Sequence, residues 1–469
     1  MEVNVLALDI GSSSGRGVIG RFADGVLHLN EVYRFSNGYF RMLGALYWDP
    51  INMYKEILNC LRECRKQEIK IDCIAIDSWA QDYAYLDSDG RIAGMPRCYH
   101  DPEIARHAAD FDHEISQYDL YRHCGQVRCD ISTLRQLYFD SRFHADSLRN
   151  AGKILFIPYL LTYMLCGEMG YDCTLPPIGE VMDAETGRFS EMLATKLGII
   201  DKIPPYRECG TIIGHTGQSV CEETGYSGIP VACVGAHDTS AAAFAIPALE
   251  DEYMFVSSGS FAMYGTIMNK AILNDNAFKA RLCSSPQCDG KTNMLSGTVG
   301  MYIIQQCMKT WKMQGFDITY DMLTEYALTH ESGLIFDFDD IDMSAPDMPA
   351  EILRVLRLTY NQALKLQEPG DYYSVFSESL ARRTAMDLSA LEETVGLRYD
   401  SLYIVGGGSQ AAAVNLRLKK LIGRPIKTGL TEASAAGNAL MQLVALGAVQ
   451  NCGEAKAAAA RSFPFRLVG

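Results

Sequence analysis

LALDIGSSSGRG (residues 6–17) is the stretch of sequence that most directly indicates the fold. An apolar run from Val3 to Asp9 leads into a turn of small residues, and a second apolar run extends from Gly17 to Phe22. This pattern predicts two strands joined as a hairpin. Small residues allow backbone N–H groups to converge on an anion, although a plain hairpin turn has a similar composition. The candidate phosphate-binding residues are Gly11, Ser12, Ser13, Ser14, Gly15 and Arg16.

Strand patterns alternate with helical patterns along the whole chain, which predicts an α/β protein. Helical spacing occurs in three early segments, and two further apolar runs are typical of buried strands. The predicted helices are 50–65, 131–144 and 154–166, and the predicted strands are 71–77 and 231–234.

The strand, small-residue turn and strand pattern occurs a second time, about 245 residues after the first. Tyr253 to Val256 and Phe261 to Ile267 are the predicted strands, and Ser257 to Ser260 is the turn between them. Two similar halves are the simplest explanation. Pro247 and the acidic cluster after it favour domains of residues 1–246 and 247–469.

A glycine triplet follows a third predicted strand, Leu402 to Val405. Gly406 to Gly408 would permit close backbone approach to a ligand, and Ser409 is a candidate N-cap for the helix that ends before Gly423. A flexible strand-to-helix turn is the alternative interpretation, but it does not require three glycines.

Composition and charge exclude several classes of protein. The 469 residues are 48% hydrophobic and 21% charged, which excludes a disordered, collagenous or coiled-coil chain. Lys and Arg total 42 against 57 Asp and Glu, so the net charge is −15. That sign disfavours nucleic acid and membrane surfaces as partners. The sequence makes no prediction of oligomeric state.

The fifteen cysteines include no C-x-x-C pair, so their spacing does not predict a zinc site. Scattered free thiols are typical of a reducing compartment, and the N-terminal stretch lacks the pattern of a signal peptide. We therefore expect a cytoplasmic protein.

Two further segments carry candidate chemistry. His237-Asp238-Thr239 follows a predicted strand, and Asp238 there is either a general base for a substrate hydroxyl or only a helix N-cap. Asp77-Ser78-Trp79-Ala80-Gln81-Asp82 joins an aromatic ring to two carboxylates, as carbohydrate sites often do. Packing of Trp79 in the core is the alternative.

Taken together and in order, these segments resemble the FGGY family of carbohydrate kinases, in the actin-like ATPase superfamily, and most closely its rhamnulose kinase branch. The matching stretches are LALDIGSSSGRG (6–17), YWDP (47–50), DSWAQDYAYLD (77–87), VGAHDTSAA (234–242), VSSGSFAMYG (256–265), YIVGGGSQ (403–410) and TEASAAGNALMQLVALG (431–447). The resemblance covers essentially the whole chain. It implies two RNase H-like domains with the active site in the cleft between them, a sugar-binding N-terminal domain and a nucleotide-binding C-terminal domain.

The resemblance also implies roles for individual residues. Asp238 would be the catalytic base, and Asp9 would hold Mg²⁺ directly or through water. ATP would be bound by the first turn, named above, and by Gly259, Ser260, Gln305, Gly407 and Gly408. The sugar would be bound by Trp79, Ala80, Asp82, His237 and Thr239.

Departures from the family pattern fall mainly on the sugar side. Ala80 stands where the family typically has glycine, and Gly297 aligns with an asparagine that contacts the sugar. Asn293 is near that position but out of register, and His100 replaces an arginine. We therefore expect an ATP-dependent kinase of rhamnulose, a related deoxy-ketose or a pentulose. The alternative is a catalytically weak or retired regulator that binds sugar or nucleotide on the same fold.

Overall fold

The computed structural model describes residues 2–343 and 345–469. The chain folds into two compact units. One contains the residues up to Leu249 together with Met268–Met294 and Ala433–Phe463, and the other contains Glu250–Ile267, Leu295–Glu432 and Pro464–Gly469. These units group residues by spatial proximity, and the predicted sequence domains 1–246 and 247–469 stay a prediction.

The elements are as follows. The strands are β1 (Val3–Ile10), β2 (Ser14–Ala23), β3 (Val26–Ser36), β4 (Tyr39–Met42), β5 (Ala45–Trp48), β6 (Cys73–Ser78), β7 (Tyr83–Leu86), β8 (Lys153–Phe156), β9 (Met182–Asp183), β10 (Arg188–Phe189), β11 (Thr211–His215), β12 (Pro230–Cys233), β13 (Tyr253–Ser258), β14 (Phe261–Met268), β15 (Cys283–Pro286), β16 (Thr292–Val299), β17 (Leu402–Val405), β18 (Ile426–Thr428) and β19 (Arg466–Leu467). The α-helices are α1 (Pro50–Lys66), α2 (Pro102–His107), α3 (Gln117–Cys124), α4 (Thr133–Phe143), α5 (Ala145–Asn150), α6 (Ile157–Cys166), α7 (Leu175–Ile178), α8 (Glu191–Lys196), α9 (Gln218–Thr224), α10 (Asp238–Phe244), α11 (Asp275–Lys279), α12 (Tyr302–Met313), α13 (Tyr320–Thr329), α14 (Met348–Thr359), α15 (Pro369–Val395), α16 (Ala412–Ile422), α17 (Ala433–Ala445) and α18 (Cys452–Ser462). Short 3₁₀ segments are Ala108–His113, Ile200–Lys202, Phe338–Asp340 and Gly407–Gln410.

In the first unit, β1 lies in the middle of a sheet with the order β11-β12-β6-β1-β2-β3. It runs antiparallel to β2, which confirms the predicted hairpin, and parallel to β6, which in turn runs parallel to β12. The apolar side chains of β1 are buried because both faces of the sheet are covered. Helix α1 packs on one face through Ile57 and Leu61, and α17 packs on the other face through Ala435.

Small residues let α17 approach α10, the helix that begins at Asp238. A Cβ added at Gly437 would overlap the carbonyl group of Ala241, so only glycine allows this contact. The close approach fixes the start of α10 against a rigid neighbour.

In the second unit, the strands follow the order β16-β14-β13-β17-β18-β19. Strand β13 runs antiparallel to β14 and parallel to β17, and β17 runs parallel to β18. The central hairpin with a parallel strand beside it therefore recurs, as the sequence repeat predicts. The α/β class is confirmed in both units.

Two local predictions are wrong. Residues 154–156 are predicted as helix but belong to β8, which pairs antiparallel with β7, and α6 begins only at Ile157. Pro158 explains this start, because proline is tolerated in the first turn of a helix and not in its interior. Ser409 is not an N-cap, since it lies in the 3₁₀ segment and α16 begins at Ala412 without a side-chain cap.

Within the part of the chain that the structure describes, we find no helix with the length and apolar character that crossing a bilayer requires.

Candidate active site

Three carboxylates gather at one edge of the sheet of the first unit. In the parallel pairing of β1 with β6, Asp9 lies opposite Asp77. Ser78, the last residue of β6, forms a parallel bridge with His237, and Asp238 follows immediately. Because parallel strands end at the same edge of a sheet, these carboxylates lie near one another. The charges of Asp9 and Asp238 each contribute to a raised pKa at Asp77.

Asp77 is fully buried, and burial is the main reason that its pKa lies well above the ordinary value. Its Oδ2 accepts a hydrogen bond from Asn438 Nδ2 at 2.6 Å. Gln442 Nε2 donates to Asn438 Oδ1 at 2.7 Å, so α17 supplies a buried polar network beneath the strand ends. Asp77 Oδ1 has no hydrogen-bond partner among the described residues.

Asp9 is paired with Arg16 from the neighbouring strand. Arg16 Nε and Nη2 both donate to Asp9 Oδ2, at 3.0 and 2.7 Å. Burial raises the pKa of Asp9, and the Arg16 charge opposes that shift. Arg16, which is predicted to bind ATP, therefore also holds Asp9, which is predicted to hold Mg²⁺.

The turn between β1 and β2 is fastened by Asn37. The Asn37 side-chain amide donates to the Gly11 carbonyl at 2.7 Å, and its backbone N–H donates to the Ser13 carbonyl at 3.0 Å. A Cβ on Gly15 would overlap the ring of Phe35, which explains glycine at that position. Binding of phosphate by Gly11 to Arg16 stays a prediction on this well-defined turn.

Asp238 is the first residue of α10, and His237 occupies the N-cap position without a side-chain capping bond. In this structure Asp238 is therefore not the N-cap residue. Its side chain is 32% exposed, and desolvation by the surrounding protein raises its pKa. The Thr239 hydroxyl donates to Asp238 Oδ1 at 3.1 Å. This arrangement leaves a carboxylate that is positioned by its neighbours and still accessible.

His237 Nε2 lies 3.5 Å from Asp238 Oδ1. Burial lowers the pKa of His237 to about 4, so the ring is neutral near neutral pH. His237 and Thr239 thus both contact the candidate base. Their predicted contact with sugar remains a prediction.

Trp48, Trp79 and Asp82 form a buried cluster. Asp82 Oδ2 accepts from the indole nitrogens of Trp48 and Trp79 at 2.6 and 2.9 Å, and Asp82 Oδ1 accepts from Gln136 Nε2 at 3.0 Å. The two indole rings lie 4.4 Å apart between centroids. Ala80 is fully buried in an apolar cluster of the first unit. Trp79 is therefore packed in the core, as the alternative interpretation expected. Direct contact of Trp79, Ala80 and Asp82 with the sugar stays a prediction.

In the second unit, the turn between β13 and β14 is held by the start of α12. The Met301 N–H donates to the Gly259 carbonyl at 2.9 Å, and the Tyr302 N–H donates to the Ser260 carbonyl at 3.1 Å. The Ser260 hydroxyl donates to Gln305 Oε1 at 2.9 Å. Three predicted nucleotide residues, Gly259, Ser260 and Gln305, are thus brought together.

The glycine triplet packs against the end of β13. Gly406 has a φ of 80°, and a Cβ there would lie 2.8 Å from the Ser258 carbonyl oxygen. A Cβ on Gly408 would overlap the Ser258 side chain, whereas a Cβ on Gly407 would meet nothing within 4 Å. Gly407 therefore presents bare backbone to open space beside the Gly259 turn, a surface suited to close approach by a ligand.

The residues that depart from the family pattern lie in different surroundings. A Cβ on Gly297 would overlap the sulfur of Met263. Asn293 is 1% exposed, and its Oδ1 accepts from Gln287 Nε2 at 3.0 Å. A buried and already bonded Asn293 is poorly placed to replace a missing sugar-binding asparagine.

Three residues acquire a place at the site that the sequence did not assign to them. Asp77 and Trp48 stand in motifs that the sequence singles out, and Asn438 stands in the helix motif near the C-terminus. The signal was therefore present as motif membership. Their partners were hidden, because the Asp77–Asn438 bond joins residues 361 positions apart.

Comparison of the sequence with known proteins gives matches over most of the chain. The sequence profile of the FGGY family of carbohydrate kinases, N-terminal domain, matches residues 4–245, and that of the C-terminal domain matches residues 259–446. The chain is 29% identical to a rhamnulokinase of Bacteroides thetaiotaomicron, over 99% of this chain and 96% of the relative. It is 27% identical to a rhamnulokinase of Enterococcus faecalis, over 98% and 93% of the two chains.

Among solved structures, the xylulose kinase from Rhodospirillum rubrum superposes with a TM-score of 0.79, covering 99% of this chain and 93% of that chain at 16% identity. A likeness at this identity shows the fold. The two profile matches show the family: the chain belongs to the FGGY family of carbohydrate kinases.

Proposed function

We propose that this protein transfers the terminal phosphoryl group of ATP to a hydroxyl of a ketose, namely rhamnulose, a related deoxy-ketose or a pentulose. The observation that carries the proposal is the position of Asp238, an accessible carboxylate beside the buried pair Asp9 and Asp77. A base next to further acidic groups at strand ends suits a reaction in which a hydroxyl attacks a phosphate group. The relatives named as rhamnulokinases favour rhamnulose as the first ketose to test.

In the proposed reaction, Asp238 accepts the proton of the attacking hydroxyl. The Thr239 hydroxyl orients the carboxylate through Oδ1. His237 is neutral, so it does not form an ion pair with the Asp238 carboxylate. Phosphoryl transfer requires mainly positioning and charge stabilisation, so this preorganised carboxylate is the main chemical contribution of the first unit.

The carboxylates of the first unit fit Mg²⁺. Carboxylate oxygens are the ligands this hard cation prefers, and the unpartnered Oδ1 of buried Asp77 is a polar atom in need of a partner. Asp9 and Asp77 would hold the ion directly or through water. When bound, Mg²⁺ would neutralise charge on the phosphates of ATP.

We assign nucleotide contacts to turns in both units. In the first unit, the Gly11 to Arg16 turn would bind phosphate. In the second, Gly259, Ser260, Gln305, the exposed backbone of Gly407 and the adjoining buried Gly408 would bind the nucleotide. The support for this assignment is the bare backbone at Gly407 and the bonded pair Ser260 and Gln305.

On the sugar side, we assign Asp82 to positioning the indole rings of two tryptophans. Because three side-chain donors bind its carboxylate, two of them the indoles, we assign Asp82 to holding Trp48 and Trp79, and we assign Trp79 to the face that meets the sugar. Ala80 and His237 complete the proposed sugar side.

The decisive experiment is Asp238→Asn. Loss of a positioned base costs about 100- to 10,000-fold in rate, so we expect kcat for ADP release to fall within that range while ATP binding is retained. Asp146→Asn is the matched control, because the Asp146 side chain is 88% exposed. Wild-type turnover in Asp238→Asn would contradict the role of the base. No ADP release by the wild type with any ketose, together with intact ATP binding, would instead favour the regulator.

A further inference from the structure

Three cysteine thiols meet in the first unit although they are distant in sequence. Cys173 lies before α7, Cys209 lies before β11, and Cys233 ends β12. The Cys209 thiol is hydrogen-bonded with the thiols of both Cys173 and Cys233. An oxygen of Asp172, the sulfur of Cys173 and the sulfur of Cys209 all lie within 4.8 Å of one another. Within residues 2–343 and 345–469, Asp172, Cys173 and Cys209 are the one group of three or more His, Cys, Asp and Glu residues whose ligand atoms lie this close together.

The three thiols of this cluster also contact polar groups of the first unit. Cys173 Sγ faces the Gln287 carbonyl at 3.8 Å, and Cys233 Sγ lies 3.1 Å from the Tyr159 hydroxyl oxygen. Hydrogen bonding to the other two thiols and burial hold the pKa of Cys209 well above its ordinary value. Buried thiols of this kind react slowly with oxidants, which disfavours a redox role.

We propose that Cys173, Cys209 and Cys233, together with Asp172, form a binding site for one thiophilic divalent cation such as Zn²⁺ or Cd²⁺. Sulfur ligands select soft metal ions, and a mixed set of thiolate and carboxylate ligands suits tetrahedral coordination. On binding, the three thiols release three protons to solvent, and each sulfur forms one bond to the cation.

The spacing of the ligand atoms supports this assignment. A Zn–S bond of about 2.3 Å places two sulfurs of a tetrahedral site about 3.8 Å apart. The atoms of Asp172, Cys173 and Cys209 are already within 4.8 Å. Side-chain movements of about 1 Å would therefore bring these three atoms to tetrahedral spacing, and Cys233 is hydrogen-bonded to Cys209 beside them.

The site is mechanically linked to the candidate base. Asp172 Oδ2 accepts from the Ala236 N–H at 3.2 Å, and Thr174 Oγ1 accepts from the His237 N–H at 3.1 Å. These two bonds hold the backbone that leads directly into Asp238. A cation bound to the Asp172 carboxylate would weaken its hydrogen bond with the Ala236 N–H. Displacement of a reacting group by about 1 Å can cost about 100-fold in rate. Occupancy should therefore inhibit the enzyme, a consequence that rests on the proposed function.

The binding test uses the full chain, reduced and freed of metal, and does not depend on activity. Titration with Co²⁺ or Cd²⁺ is followed through thiolate-to-metal charge-transfer absorption. We expect one equivalent per chain, and we expect the signal to be lost in Cys209→Ser and in Cys209→Ala. Cys221→Ser is the matched control, because Cys221 is also partly exposed but lies on α9. Denaturant unfolding establishes that each variant is folded. Absence of charge-transfer absorption in the wild type, or its persistence in folded Cys209 variants, would overturn the site.

The inhibition test adds Zn²⁺ to the ADP-release assay at saturating Mg²⁺. We expect one equivalent to lower wild-type turnover by up to about 100-fold, a chelator to restore it, and Cys209→Ser to resist it. Equal inhibition of Cys209→Ser would overturn the link to Asp238. If the wild type shows no kinase activity at saturating Mg²⁺ before any Zn²⁺ is added, the proposed function is refuted. The absorption titration would still show whether the cysteine site binds a cation.

Discussion

Asn438 and Asp77 are joined by a 2.6 Å hydrogen bond although 361 residues separate them in sequence. Both side chains are fully buried. The amide of Asn438 therefore stabilises a carboxylate that has lost its hydration, in the middle of the candidate active site.

Replacing Asn438 with leucine should destabilise the protein. Removing one partner of a buried hydrogen bond leaves the other unsatisfied, at a cost of about 1–3 kcal/mol, so Asn438→Leu should lower the free energy of unfolding by about that amount. Urea denaturation measures it, with Gln450→Ala as the control because Gln450 is exposed. A change no larger than that of the control would show that the bond contributes little.

The stability of the protein should depend on the ionisation of Asp82. Burial raises its pKa from 3.8 to about 7, so the folded state binds this proton more tightly than the unfolded state. The stabilisation is complete below the unfolded pKa and is lost as the pH rises through about 7. The free energy of unfolding of the wild type relative to Asp82→Asn should therefore fall between about pH 4 and pH 7, by an amount on the order of a few kcal/mol, and level off above that range. A pH-independent difference would indicate that the three donors keep Asp82 ionised throughout.

The bond between Ser260 and Gln305 predicts a change in nucleotide affinity. Loss of one hydrogen bond costs about 0.5–1.5 kcal/mol, so Gln305→Ala should raise the KM for ATP about 2- to 10-fold and leave the KM for the ketose unchanged. Initial rates at varied ATP measure this effect. Gln306→Ala is the control, since Gln306 is the adjacent residue of α12 and is bonded to Lys309 instead. Equal changes in both KM values would point to general loosening of the helix.

Sugar specificity should respond to Gly297. Because a Cβ there would overlap the Met263 sulfur, Gly297→Asn is best made together with Met263→Ala, and Met263→Ala alone is its control. One recovered hydrogen bond to rhamnulose corresponds to a gain of about 2- to 10-fold in kcat/KM. We expect the wild type to prefer another ketose among fuculose, xylulose and ribulose. A wild type that already prefers rhamnulose, and that gains nothing from the pair of substitutions, would contradict altered specificity.

Ala80 makes a separate contribution to the same question. Ala80→Gly removes a fully buried methyl group, at a cost in stability of about 0.8 kcal/mol. If Ala80 narrows the sugar site, this change should raise kcat/KM for the bulkiest ketose accepted and leave the KM for ATP unaltered. The same panel of four ketoses measures it, and a uniform decline for all sugars would indicate a purely structural role.

The amino-acid sequence alone determined the local architecture. Three elements are predicted correctly: the hairpin with its turn before Gly15, its second copy from Tyr253 onward, and the strand before Gly406. They are predictable because buried strands and small-residue turns are specified by adjacent residues. Where one apolar run contained a strand and a helix, at residues 154–166, periodicity could not separate them, and pairing with β7 decided the outcome.

Only the tertiary structure decided which side chains meet. The register of β1 on β6 sets Asp9 opposite Asp77, and the packing of a distant helix brings Asn438 to the same place. The convergence of Cys173 and Cys209 likewise depends on loops that sequence spacing does not relate. Such contacts follow from strand register and chain crossing, which arise from the burial of whole faces and not from any short motif.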